Sequence, residues 1–169
     1  MVAPEGPKED EVLYREATEA DFPILIELFN KLDAYFRKFT YSFPVVENPG
    51  KLWLESFRRI LGRFSIVYVA EYQGEVVGFV HARIKHVPDY LGSVTIGELK
   101  DEWIEPTARR LGIGEKLVRL AIEWCRQQGV YSLEGQILIG NEPIMKMLTG
   151  LGMKPELTQL RMKWEDYRG

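Results

Sequence analysis

The chain has 169 residues, of which 46% are hydrophobic and 28% are charged, and its formal net charge is −3. This composition is ordinary for a globular domain with a sizeable core, and the weakly acidic balance argues against non-specific nucleic-acid binding. One cysteine and two histidines exclude a disulfide framework and a credible zinc site, so we expect no metal. Apolar runs stay well below the roughly 18 residues of a membrane span, and the start lacks an apolar signal region, which favours a cytoplasmic protein with no membrane partner.

The N-terminal part is predicted to form a short strand and an amphipathic helix. Residues 1–10 are rich in proline, glycine and charge, so we expect a flexible tail ahead of one domain over 11–169. Residues 12–16 are typical of a strand. Helical spacing then joins the apolar residues Phe22, Leu25, Leu28, Phe29 and Leu32. An aromatic-rich stretch follows, which fits either core packing or the lining of an acceptor pocket: Tyr35, Phe36, Phe39, Tyr41 and Phe43.

The middle of the chain predicts a second helix and an antiparallel meander. Asn48-Pro49 is a typical helix start, and Gly62 is a typical end. Residues 65–72 and 75–84 are predicted strands, joined by Gln73-Gly74 as a two-residue hairpin turn. Residues 94–105 are predicted to form the third long strand.

The C-terminal part predicts a change of connection. A helix is expected over 115–128 with Gly129 just after its end, followed by a strand over 133–139. A short helix from Asn141 through Leu148 and a final strand near 159–164 complete the prediction. Strand–helix–strand needs a crossover, so the predicted fold class is α+β, with a mixed, mostly antiparallel twisted sheet flanked by helices.

A glycine-rich segment precedes the long helix, with the sequence Arg109-Arg110-Leu111-Gly112-Ile113-Gly114. Backbone N–H groups at a helix start favour an anion such as a phosphate, and arginines can fork onto phosphate oxygens. The segment is not a P-loop, since no Gly-Lys-Ser/Thr follows, and Leu117 replaces the third glycine of a dinucleotide fingerprint. An anion cradle and a plain turn remain as alternatives.

These motifs resemble those of the GCN5-related N-acetyltransferase (GNAT) family. The strand ending in Ile104-Glu105-Pro106, followed by the glycine-rich segment and a helix, resembles motif A. Asn141 with Gly152 is similar to motif B, and the hairpin over 71–82 is similar to the family's second and third strands. The resemblance covers residues 12–165 and implies a GNAT-like fold with acetyl-CoA as cosubstrate.

The resemblance also implies a binding site and a reaction. The loop over 109–114 would hold the pyrophosphate, the strand around Trp103 and Ile104 would pair with the pantetheine arm, and Asn141 would contact the arm near the thioester. The implied binding residues are thus Trp103, Ile104, Arg109, Arg110, Leu111, Gly112, Ile113, Gly114 and Asn141. The acetyl group would pass directly to a primary amine of a small-molecule or peptide acceptor, without a covalent enzyme intermediate.

One family position departs from the pattern in a way that bears on catalysis. Leu148 stands where many members carry the tyrosine that protonates the leaving thiolate, while Ile144 and Met153 replace the usual alanine and phenylalanine. A thiolate with a pKa near ~8.5 is a tolerable leaving group without an acid, and Tyr131 or a water could substitute. The alternative function is an acyl-CoA-binding sensor or regulatory module that is catalytically weak or inactive.

The acceptor amine would arrive protonated, so the site needs a base. Glu98 is the first candidate, because some family members carry a catalytic glutamate eleven residues before the arginine of motif A. We expect a partly desolvated cleft to raise its pKa towards the working pH. Asp101 and Glu102 are further candidates on opposite faces of the strand. All three could instead be solvated or salt-bridged carboxylates.

Three further expectations concern residues outside the site. Cys125 shares the apolar face of the long helix and is interpreted as an inert buried thiol. His81 is interpreted as an ordinary strand histidine. An aromatic content of 12%, together with the family resemblance, predicts a homodimer.

Overall fold

Five strands form one open sheet in the computed structural model, which describes residues 11–39 and 43–169. In order across the sheet these are β1 (Val12–Glu16), β2 (Ser65–Tyr72), β3 (Glu75–His86), β4 (Thr95–Ile104) and β5 (Leu133–Gly135). Strands β1 to β4 pair antiparallel with their neighbours, whereas β5 pairs parallel with β4. The predicted class of a mixed, mostly antiparallel sheet is confirmed.

Four helices flank the sheet: α1 (Phe22–Phe36), α2 (Pro49–Phe57), α3 (Ile113–Gln127) and α4 (Glu142–Gly150). Helices α1 and α2 share a buried cluster with one face of β2–β4, which contributes Val67, Val69, Phe79 and Trp103. A second cluster joins α3 and Leu148 of α4 to the opposite face, which contributes Ile66, Ala70, Val80 and Ala82. Within residues 11–39 and 43–169, every helix falls short of the length and hydropathy that a membrane span requires.

Local sequence signals explain most of the boundaries. Pro23 lies in the first turn of α1, where its missing N–H costs no helical bond, and the Asn48 side chain accepts from Lys51 N at the start of α2. Gln73 and Gly74 have φ of 51° and 82°, as a two-residue hairpin of positive-φ residues requires. The predicted hairpin is therefore confirmed.

Several predicted boundaries are wrong. Helix α3 begins at Ile113 rather than at residue 115, because Gly112 in the left-handed conformation already turns the chain. Helix α2 ends at Phe57, and a 3-10 turn over Arg58–Ile60 completes the predicted span. Strand β5 stops at Gly135 instead of 139.

The predicted last strand over 159–164 is also wrong. Residues 153–163 form neither helix nor strand, and a 3-10 turn occupies Trp164–Asp166. Alternating apolar residues make a segment compatible with a strand, but a ladder of hydrogen bonds also needs a neighbouring strand, and this segment has none in the described part of the chain. The predicted tail over 1–10 and Tyr41 lie outside the described residues.

Candidate functional site

Strand β4 is unequally paired on its two edges. Against β3 it is paired from Thr95 to Ile104, but against β5 it is paired only over Gly97–Leu99. Beyond that point, no described strand lies beside the β5-facing edge of residues 100–104. An unpaired edge offers a row of N–H and C=O groups to an extended ligand.

A β-bulge marks the place where the two edges begin to differ. His81 pairs with Asp101 and Ala82 pairs with Leu99, so Lys100 is an extra residue on β4. A bulge re-aims the backbone and increases the local twist. The strand thus changes direction at the residue after its last pair with β5.

The loop after β4 leads into an uncapped helix start. A 3-10 turn over Pro106–Ala108 is followed by Gly112 with φ of 77°, and no side chain caps the N-terminus of α3. Gly112 is exposed, so a ligand can approach the uncapped N–H groups in the first turn of α3. The open edge of β4 therefore ends beside a position suited to an anion.

The two arginines of the loop have different surroundings. Arg109 donates from Nε to the carbonyl of Ile104 at 2.9 Å, and its guanidinium lies 4.7 Å from the centre of the Trp103 ring. Arg110 is exposed and has φ of 66°, which is uncommon for a residue other than glycine. Arg109 thus fastens the loop to β4, while Arg110 adds charge at its surface.

Trp103 and Ile104 point to opposite faces of β4. The Trp103 side chain is buried against α1, with its ring 5.9 Å from that of Tyr35, and its indole N–H has no hydrogen-bond partner among the described residues. An open cleft of about 430 Å³ lies beside these rings, lined also by Lys38 and Arg109. The Ile104 side chain packs in the α3 cluster. Any contact of these two residues with an extended ligand in the β4–β5 gap would therefore use their backbone.

Glu102 lies directly beneath the first turn of α3. A Cβ placed on Gly114 would come 2.5 Å from Oε1 of Glu102, so only glycine fits there without displacing the carboxyl group. Burial raises the pKa of Glu102 to about 7. This carboxyl group therefore titrates close to neutral pH.

Glu98 occurs in a different electrostatic setting. It is buried and ion-paired with Arg83, and Lys85 Nζ lies 3.3 Å from its other oxygen. Burial alone would raise the pKa of Glu98, but the hydrogen bond and charge of Arg83, together with Lys100 and Lys85, outweigh it and lower the pKa. The predicted rise in the pKa of Glu98 is therefore wrong, because its partners stabilise the charged form.

Asp101 belongs to a hydrogen-bonded group on the α1/α2 face. Its Oδ2 accepts from Trp53 Nε1 at 2.8 Å and lies 3.1 Å from His81 Nδ1. The other ring nitrogen of His81 lies 2.8 Å from the Ser65 hydroxyl. His81 is thus a buried histidine of β3 with a partner at each ring nitrogen, which agrees with its interpretation as a strand histidine. The signal that sequence reasoning missed was a polar residue on the α1/α2 face of each of three neighbouring strands: Ser65, His81 and Asp101.

Asn141 lies at the start of α4, and Leu148 lies within this helix. Asn141 is the N-cap residue, half-buried, and its backbone N–H donates to Leu138 O at 3.0 Å. The preceding Gly140 lies against the Phe39 ring, which brings the end of α1 beside this loop. Leu148 is buried in the α3 cluster, so its position supplies packing and no hydroxyl group.

Two other interpreted residues can be placed. Cys125 is buried and its pKa is raised to about 11 by burial, as expected of an inert thiol. Tyr131, a possible substitute acid, is 79% exposed at the end of β4 opposite the loop, since its N–H donates to Thr95 O. That position separates it from residues 100–104 by much of the strand.

Known proteins resemble this chain in sequence and in fold. A phosphinothricin N-acetyltransferase of Streptomyces viridochromogenes is 24% identical over 150 residues, which are 87% of this chain and 76% of the relative. A transcriptional regulator from Bacillus halodurans has a similar structure, with a TM-score of 0.71, 20% identity, and coverage of 90% of this chain and 99% of that one. An aminoglycoside 6′-N-acetyltransferase from Acinetobacter haemolyticus gives a TM-score of 0.68 at 17% identity, covering 89% and 97%.

The family itself is identified by a match that spans the site. Residues 26–153 match the family described as Acetyltransferase (GNAT) family, and this range includes β4, the glycine-rich loop, α3 and α4. The chain belongs to the GNAT acetyltransferase family.

Proposed function

We propose that the protein transfers an acetyl group from acetyl-CoA to a primary amine. The observation that carries this proposal is the open edge of β4 over 100–104, which runs from the bulge to the uncapped start of α3. Two relatives named above are N-acetyltransferases of amine-bearing compounds, which supports the same reaction here.

The binding residues follow from that edge. Backbone groups of Trp103 and Ile104 would hold an extended pantetheine arm, and the N–H groups of residues 109–114 would hold the pyrophosphate. Asn141 would contact the arm from the start of α4. Such a site needs no metal, since the helix start and the arginines supply positive charge.

We propose Asp101 as the base in place of Glu98. The amine nitrogen attacks the thioester carbonyl carbon, the C–N bond forms, the C–S bond breaks, and CoA leaves as its thiolate while the amine proton passes to the base. The cations beside Glu98 lower its pKa and make it a weaker base, and Glu102 lies under α3 on the opposite face. The Asp101 side chain lies on the face of the aromatic residues and is 14% exposed.

The test is turnover of acetyl-CoA with a panel of primary amines: amino acids, aminoglycosides, polyamines and peptides. We expect release of free thiol together with an acetylated product seen by mass spectrometry. The matched control is the Asp101→Asn variant, which should bind acetyl-CoA normally. Thiol release without an acetylated amine, or no turnover with any acceptor class, would contradict the proposal.

A second candidate function is a CoA-binding sensor without catalysis. The observation that favours it is Leu148, which places a buried apolar side chain where many family members have a tyrosine. Calorimetric binding of acetyl-CoA with no turnover across the panel would support the sensor. Turnover restored by Leu148→Tyr would show that only the acid is missing.

We also propose that the protein is a cytoplasmic homodimer. Leu160 and Trp164 are 90% and 86% exposed in the C-terminal segment, and exposed apolar groups are common at interfaces. Light scattering at micromolar concentration should give the mass of two chains, and the mass of one chain would refute the dimer.

A further inference from the structure

Three side chains form a hydrogen-bonded series that runs outward through the α1/α2 face of the sheet. Ser65 Oγ lies 2.8 Å from His81 Nε2, and His81 Nδ1 lies 3.1 Å from Asp101 Oδ2. The residues are 0%, 3% and 14% exposed in that order, the last value being for the side chain. The series therefore has a sealed inner end and an accessible outer end.

The order serine, histidine, aspartate is that of a hydrolase triad, but the accessibility is reversed. A nucleophilic serine must reach a substrate carbonyl. Ser65 cannot do so, because it is fully buried on the α1/α2 face of the sheet. The accessible member is Asp101 instead. Any chemical effect of the series must therefore act through the carboxylate and not through the hydroxyl group.

The direction of each hydrogen bond can be assigned. A carboxylate can only accept, so His81 Nδ1 carries a proton and donates to Asp101. A ring whose one proton is on Nδ1 has Nε2 as an acceptor, so in this tautomer the Ser65 hydroxyl donates to it. Trp53 Nε1 donates a second hydrogen bond to the same carboxylate oxygen at 2.8 Å.

The surrounding aromatic rings hold His81 in place. The His81 ring stacks on Phe57 with centroids 4.1 Å apart, and it meets Trp53 edge-on at 5.6 Å. The two donors to Oδ2 of Asp101, Trp53 Nε1 and His81 Nδ1, therefore belong to rings that are packed against other aromatic side chains. In the described part of the chain, Oδ1 makes no hydrogen bond, which leaves it as the oxygen that can accept a proton.

The charged groups next along β3 and β4 on this face are already paired. Arg83 and Glu98, next along the same strands, form an ion pair, and Lys85 joins Glu98 to Glu134. Helix α2 contributes only Trp53 and Phe57 to this contact. His81 is thus the ionisable side chain that contacts Asp101 directly.

We propose that Ser65 and His81 are positioning residues that fix the orientation of the Asp101 carboxylate towards the acceptor amine. The inference rests on the proposed acetyl transfer and adds to it two residues beneath the reacting groups. Ser65 orients the ring, the ring and Trp53 orient Oδ2, and Oδ1 is thereby presented to the substrate. Removing the Ser65 hydroxyl or the His81 ring should lower the rate of the chemical step while the affinity for acetyl-CoA is unchanged.

The kinetic test uses four variants. Ser65→Ala removes only a hydroxyl group, whereas Trp53→Phe removes the indole donor together with part of the ring that packs on Phe29 and Phe79. We expect each to lower kcat about tenfold with acceptor KM within about twofold. His81→Asn keeps a donor near the Nδ1 position and should retain more activity than His81→Leu. The matched control is Val67→Ala, a buried residue of the same face of β2 outside the series, which should lower thermal stability without lowering kcat.

A second measurement does not depend on activity. The chain has two histidines, and His86 is exposed, so ¹⁵N-edited NMR of the imidazoles has an internal reference. We expect His81 to show a protonated Nδ1 with slow solvent exchange, and Asp101→Ala to abolish that signal while His86 stays unchanged.

The outcomes separate the two proposals. If no acceptor is acetylated while His81 shows the expected Nδ1 proton, the acetyl-transfer proposal fails and the hydrogen-bonded series stands. If acetylation occurs and Ser65→Ala and both His81 variants keep the wild-type kcat, the positioning role is refuted. A protonated Nε2 with a bare Nδ1, or equal losses in Val67→Ala and Ser65→Ala, would refute it as well.

Discussion

Asp101 and Glu102 are adjacent on β4, yet their carboxyl groups have opposite surroundings. Successive residues of a strand point to opposite faces, so Asp101 meets the aromatic wall of α2 and Glu102 meets the start of α3. Asp101 receives two hydrogen bonds, whereas burial alone acts on Glu102 and raises its pKa to about 7. The comparison shows that the chemistry of a carboxylate on this strand depends on its face and its partners more than on its position in the sequence.

The strongest test of this comparison is the loss of the proposed base. Asp101→Asn keeps the size of the side chain but removes the proton acceptor, so we expect turnover to fall by about 10²–10⁴-fold with acetyl-CoA affinity nearly unchanged. Steady-state kinetics and calorimetry measure the two quantities.

Glu98→Gln is the matched control on the same face, and we expect a fall below about tenfold because its partners lower the pKa of Glu98 and make it a weak base. If Glu98→Gln or Glu102→Gln abolishes turnover while Asp101→Asn stays active, the base lies elsewhere on the strand and the comparison fails.

The environment of Glu102, on the α3 face, is tested by the pH dependence of the free energy of unfolding. The pKa of Glu102 rises from 4.5 to about 7 on folding, so the folded state binds the proton more tightly. The free energy of unfolding therefore falls as pH rises from about 4.5 to about 7, by at most about 3 kcal/mol. Glu102→Gln should remove this fall, which makes the variant more stable than wild type at pH 8 and nearly equal at pH 4.

Chemical denaturation at both pH values checks this prediction. Glu115→Gln, on the exposed surface of α3, serves as the control and should follow the wild-type profile. Equal curves for wild type and Glu102→Gln at pH 8 would show that the Glu102 carboxyl group is solvated.

A smaller effect is expected where the open edge of β4 meets the loop. Gly112→Asp and Gly112→Asn both place a side chain that tolerates the left-handed φ of 77°, and they differ mainly in charge. We expect the aspartate variant to bind acetyl-CoA at least tenfold more weakly than the asparagine variant, or about 1.4 kcal/mol. Equal affinities by calorimetry would argue against an anion site at the start of α3.

The smallest effect concerns the two arginines of the loop. Arg110→Gly relieves a positive φ of 66° while removing charge, so we expect CoA affinity to fall about two- to fivefold without loss of thermal stability. Arg109→Ala should also lower the melting temperature, because Arg109 holds the carbonyl of Ile104. A greater loss for CoA than for dephospho-CoA would assign the contact to the 3′-phosphate, and an equal loss to the pyrophosphate. Unchanged affinity for both ligands in both variants would make the arginines surface charges only.

The sequence was sufficient where local rules determine the structure. The hairpin at Gln73-Gly74, the proline at the start of α1 and the order of the antiparallel strands follow from turn chemistry and periodicity. The prediction of a last strand over 159–164 was wrong, because alternation of apolar residues does not reveal whether a neighbouring strand is present. The glycine-rich loop was located by its residue types, but the left-handed Gly112 moved the helix start by two residues.

The candidate site was harder to predict because it depends on register across three strands. Ser65, His81 and Asp101 are far apart in the chain, and only the pairing of β2 with β3 and of β3 with β4 brings them together. The lowered pKa of Glu98 depends in the same way on Arg83 of the neighbouring strand. Single-residue propensities carry no information on such cross-strand partners.

The three-residue pairing of β5 with β4 has a consequence for local opening. Because β5 adds only Leu133–Gly135 to one edge of the sheet, it can detach without breaking the ladders of β1 to β4. Its amide hydrogens should then exchange with deuterated solvent much faster than those in the interior of β2 and β3. A molecule bound between β4 and β5 would hold β5 and the open edge of β4 in place. Slower amide exchange at residues 100–104 and 133–135 would therefore report binding in the gap between these strands before any reaction occurs.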